Sequence, residues 1–140
     1  MGTIKTLNKW ANAHTYYGLD MLRVALGVFL ILKGVEFMSD PVAMGLVMEP
    51  FRDLPGSMMI IHYVAAAHFV GGFFIIIGLL TRWSVALQVP IMIGAILTNF
   101  LGIMVVGNLV QALIVFLLCV FFMIYGSGKH SLDYYLKMQK

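Results

Sequence analysis

The sequence predicts an all-α fold: a bundle of four transmembrane helices, with a short amphipathic helix lying at the interface ahead of the first. Three observations carry this. Of 140 residues, 61% are hydrophobic and only 11% are charged, whereas roughly a quarter of a soluble domain is charged. That leaves too little polar surface to cover a water-soluble globule. Four apolar stretches each run about 20 residues, enough to cross a hydrocarbon core of roughly 30 Å. Lipid offers no partner for a free backbone amide, so each stretch must be helical.

The whole chain, 1–140, reads as a single integral membrane domain. Ile4, Leu7, Ala11 and His14 recur at helical spacing with Lys5 and Lys9 between them, which predicts the interfacial helix. Trp10, Tyr16 and Tyr17 suit the headgroup region. The spans are expected over residues 19–38, 58–80, 83–103 and 106–125. Ser39 to Gly56 reads as a loop with three prolines, its apolar centre, Val42 to Met48, placed on the membrane surface. Thr81-Arg82 reads as a tight turn, and the connection near Gly102 to Gly107 is short and uncharged. Pro90 should kink or loosen the third helix near Ala86. Gly94, Thr98 and Gly102, together with Ala67/Gly71 and His68/Gly72, form small-residue ridges for close helix approach. After the fourth span Gly126-Ser127-Gly128 stops the helix, and Ser131 caps a short basic tail with Lys137 and Lys140.

Charge gives an orientation. Lys5, Lys9, Arg23, Arg82, Lys129, Lys137 and Lys140 fall on one side of such a bundle, and the opposite loops hold only Arg52. Basic residues collect in the cytoplasm, so both termini are expected there, in the inner membrane of the cell. The first apolar run starts late and is long enough to span, so no cleavable signal is expected. One cysteine, Cys119 in an apolar run, excludes an internal disulfide and a Cys-rich metal site. The net charge of +3 comes without a Lys/Arg run, which argues against a nucleic-acid partner.

The polar residues inside the spans are the candidate site, because an intramembrane charge is costly unless it is paired or wetted. Lys33 and Glu36 fall in the outer third of the first span, with His62, Asn99, Asn108 and Gln111 at matching depth on the other three. His68 lies alone near the midplane, and Asp20 and Arg23, three apart, form a cytoplasmic-side ion pair. Each has a plainer reading. Lys33 and Glu36 could simply neutralise one another, and the amides could hold helices together. His62 and His68 are six apart, about 120° around a helix, so they are no i, i+4 ligand pair and neither a metal nor a haem site is expected.

Leu22-Arg23, Gly27 and Lys33-Gly34-Val35-Glu36-Phe37 resemble the first helix of the DoxX family of small four-helix membrane proteins. His68-Phe69-Val70-Gly71-Gly72 and Gly78-Leu79-Leu80-Thr81-Arg82 resemble its second helix and turn, and Gln88-Val89-Pro90 with Gly94-Ala95 its third. Gly126-Ser127-Gly128 with Ser131-Leu132-Asp133 is similar to its C-terminal ending. Where many members carry a His-Gly…Lys pattern, this chain has Lys33-Gly34 and Glu36-Phe37. The family includes subunits linked to thiosulfate:quinone oxidoreduction and a membrane component of an oxidoreductase complex in oxidative-stress defence. The resemblance therefore implies an accessory subunit of a quinone-linked redox complex, with a quinone as the possible cofactor. Its partners would be the lipid bilayer and other redox subunits or further copies of itself. A non-enzymatic scaffold is the alternative. A small transporter ranks third, because no internal repeat or continuous polar stripe is visible.

Overall fold

A computed structural model describes residues 2–14 and 16–136, and every regular element among them is a helix. Helix α1 (Gly2–Ala13) packs on α6 (Val106–Tyr125). Its buried face is Asn8 and Ala11, whereas Ile4 is 51% exposed, so the packing face is rotated from the one expected. Trp10 fixes this contact by meeting the Tyr125 ring edge-on at 6.2 Å.

Helix α2 (Tyr17–Ser39) ends where Asp40 turns the chain, and Asp40 then starts α3 (Pro41–Met48). Its Oδ1 accepts from the Val42 and Ala43 amides, both at 3.0 Å, and Pro41 fits the first turn because its missing N–H would be unpaired there anyway. The stretch expected as a loop is thus largely helical. It stops because Pro50 cannot continue the ladder, leaving a single tight turn, Glu49–Phe51. Asp40→Ala should cost α3 about 1 kcal/mol. Faster deuterium uptake across the eight residues of α3, and no change in α6, would verify this.

Helix α4 (Ser57–Ile77) carries a π-turn at Ala67–Gly71 and ends at Gly78, whose φ of +70° suits only glycine without strain. The reversal is therefore Gly78–Leu80, and Thr81-Arg82 is the first turn of α5 (Thr81–Leu101) instead of a loop. Helix α5 continues through Pro90. Past α6, Gly126 and Gly128 both take positive φ, and Ser131 Oγ accepts from the Tyr134 amide at 3.2 Å to cap α7 (Leu132–Tyr135). Lys137 and Lys140 lie outside the described residues.

Among the described residues three helices, α4, α5 and α6, are long and apolar enough to cross a membrane. Helix α2 has 23 residues, and it carries four charges, Asp20, Arg23, Lys33 and Glu36. Helix α2 pairs with α4 and α5 with α6. The first pairing is close: a Cβ on Gly72 would lie 2.9 Å from the Gly27 carbonyl oxygen, and one on Gly34 would lie 2.9 Å from His68 Cβ. Between the pairs lies an apolar core of Leu26, Leu30, Ile75, Val85, Val115, Cys119 and Phe122. Cys119 faces helices and is fully buried.

The two ends of the bundle differ. At one, Arg23 is 3% exposed and donates to the carbonyls of Ser127 (3.2 Å) and His130 (3.1 Å). Its approach to Asp20 is 4.0 Å, and the nearer partner of Asp20 is His130 Nδ1 at 2.8 Å. Asp133 is buried, and its carboxylate accepts from the Leu80 and Thr81 amides at 2.6 and 3.1 Å, capping α5. That cap holds Leu80 at φ +47°, a conformation that costs a leucine roughly 1–2 kcal/mol. At the other end the two pairs part, and the gap between them is the candidate site.

Candidate functional site: an apolar cavity at the Lys33 end

The cavity holds about 420 Å³ between α2, α3, α4, α5 and α6. Phe29, Phe37, Phe51 and Tyr63 supply ring walls, and Ala43, Val47 and Met48 of α3 form one side. The α3 residues were read from sequence only as a surface segment. Asp40-Pro41 was the available signal for a helix start.

Six of the seven polar residues singled out from sequence line this cavity: Lys33, Glu36, His68, Asn99, Asn108 and Gln111. His62 does not. It is exposed on α4, with Nδ1 2.8 Å from the Met58 carbonyl. Lys33 Nζ donates to Glu36 Oε2 at 2.6 Å and lies 5.8 Å from the Phe29 ring centroid. Each charge therefore has its counterion on its own helix. Asn99 works inside the fold: its amide donates to the Ala95 carbonyl at 2.9 Å, and its oxygen accepts from the Val105 amide at 3.0 Å, which starts α6. The Asn108 and Gln111 side chains are exposed and make no hydrogen bond among the described residues.

His68 reaches the cavity from the π-turn. A π-turn inserts one residue per turn, so it shifts which faces of the helix meet which neighbours. Ala67 and Gly71 face α5, where the fully buried Gln88 donates Nε2 to the Ala67 carbonyl at 2.5 Å. A Cβ on Gly71 would lie 2.8 Å from that nitrogen, which explains the glycine. His68 turns the other way, beside Gly34. Gln88 thus clamps the turn that bears His68. Gly94 was expected in a helix-packing ridge. A Cβ there would meet nothing within 4 Å, because Gly94 borders the cavity. Among the described residues no group of three His, Cys, Asp or Glu side chains is placed to hold a metal ion.

No curated protein and no solved structure matches the chain. The family model DoxX matches residues 18–101, from the start of α2 to the end of α5. With its apolar helices this is a multi-pass membrane protein, and the chain belongs to the DoxX family.

Proposed function

We propose that this protein is an accessory subunit of a quinone-linked redox complex, with four spans, both termini cytoplasmic, and a ligand pocket in the outer half of an inner-membrane bundle. The cavity is the observation that carries the reading. Its volume falls within the 300–1,000 Å³ typical of small-molecule sites, and its wall is mainly apolar and aromatic with a few polar groups. Helix α2, at 23 residues, would be the remaining span. Its 1.5 Å rise per residue suffices for the crossing. Lys33 and Glu36 enter as a neutralised pair, and Asp20 and Arg23 sit among polar groups at the cytoplasmic end. The redox context comes from family membership.

Gly94→Phe tests the pocket, since the ring would enter open space. Mass spectrometry of small molecules retained by detergent-purified protein should find an isoprenoid quinone in the parent. The variant should retain at least about tenfold less. Equal retention, or none in the parent, sinks the reading. A scaffold is favoured instead by one observation: Lys33 with Glu36, and Asn99 with Ala95 and Val105, already satisfy each other. In that case redox subunits would co-purify equally with both proteins and no quinone would be found.

A further inference from the structure

The cavity wall has a hydrogen-bonding sign, and it follows from where each polar side chain sends its protons. The Thr98 hydroxyl donates to the Ala95 carbonyl at 2.9 Å, and the Tyr63 hydroxyl donates to the Leu87 carbonyl at 2.6 Å. His68 Nδ1 lies 2.7 Å from the Val64 carbonyl oxygen. A carbonyl only accepts, so this nitrogen carries the proton, and in the neutral ring Nε2 is left as an acceptor. Nε2 has no partner among the described residues. Lys33 gives one proton to Glu36, whose carboxylate is itself acceptor-only.

The donors still free are on Asn99, Asn108, Gln111 and Lys33, all at the end where α2 and α5 finish and α6 begins. Deeper in, at the middle of α4, the cavity wall includes the buried His68, whose Nε2 is an unpaired acceptor, whereas Tyr63 is exposed and its hydroxyl proton is committed to Leu87. A ligand whose inner end is a carbonyl would set its lone pairs against this nitrogen, leaving acceptors away from water unpaired on both sides. A ligand whose inner end is a hydroxyl would satisfy it.

We infer that the cavity selects the reduced member of a quinone couple, a hydroquinone, whose inner O–H donates to His68 Nε2. This rests on the quinone-linked reading above and adds to it the redox form that is bound. The rim donors suit the second oxygen, which can accept as well as donate, so orientation is set at the inner end. Gln88 contributes indirectly by holding the π-turn from which His68 projects.

The test uses the full chain in lipid nanodiscs under anaerobic conditions, with three decyl-chain probes: a benzohydroquinone, its quinone, and the hydroquinone dimethyl ether. The ether keeps the ring and chain and removes both donors. Equilibrium retention, quantified by mass spectrometry, should favour the hydroquinone over both others by about tenfold. His68→Phe should bring the three within about twofold of each other by removing that one hydrogen bond. If the variant does not fold, the comparison of probes on the parent protein still decides. Binding of the quinone or the ether as tightly as the hydroquinone would overturn the inference while leaving the quinone pocket standing. Retention of none of the three would overturn both.

Discussion

Replacing Arg23 by leucine is expected to destabilise the protein by about 3 kcal/mol, the lower part of the range for removing one partner from a buried pair. The arginine is almost wholly buried and gathers three groups: Asp20 on its own helix and the carbonyls of Ser127 and His130. Leucine keeps the apolar stem and removes the donors. Two carbonyls then lose their partners, and the Asp20 carboxylate keeps only His130. Thermal unfolding in detergent would show the loss. Trypsin cleavage after Lys129, in the segment that Arg23 holds down, should accelerate in parallel. A shift below about 0.5 kcal/mol, the level of an ordinary surface substitution, would mean the segment is held by other contacts.

Gly72→Leu is expected to have an effect of similar size by separating α2 from α4. Any Cβ at that position comes within 2.8 Å of Ile31 Cγ1 and 2.9 Å of the Gly27 carbonyl oxygen. The isoleucine could rotate away, but the backbone oxygen moves only if the whole helix does. Overpacking of this kind costs about 1–3 kcal/mol, more where backbone must shift. Gly107→Leu is the matched control, because a Cβ there meets nothing within 4 Å. Detergent melting curves of the two should differ clearly. If they coincide, the α2–α4 contact is looser than the crossing at Gly27 and Gly72 indicates.

Local features of this fold were readable in the sequence, and those that depend on distant partners were not. Hydropathy located the apolar helices, because burying backbone in lipid leaves no other solution. The i, i+3 spacing of Lys33 and Glu36, and of Asp20 and Arg23, was enough to pair each on one helix face. The gathering of Asn99, Asn108 and Gln111 with Lys33 followed from counting depth along antiparallel helices. Depth says nothing about rotation, however, and rotation is what keeps His62 out of the cavity. The π-turn had no local signal. It depends on Gln88 reaching the Ala67 carbonyl across 21 positions of sequence. The role of Asp133 at the Leu80 and Thr81 amides is separated by more than 50 positions and was equally invisible. Helix α3 is a different case, since Asp40-Pro41 was a legible start signal inside a segment discounted for its three prolines.

The cap on α5 also bears on biogenesis. The two amides at the start of that helix find their acceptor in Asp133, which is synthesised after α5 and α6 are both complete. Arg23 likewise waits for the carbonyls of Ser127 and His130. During translation Arg23 therefore has only Asp20 of its own helix within reach, and α5 begins with bare amides. Both are settled in one late event when residues 127–133 fold back. A ribosome stalled shortly before that point would hold a chain with all its long helices made and none of its closing contacts. A membrane quality-control protease could tell that intermediate from the finished protein by one exposed end.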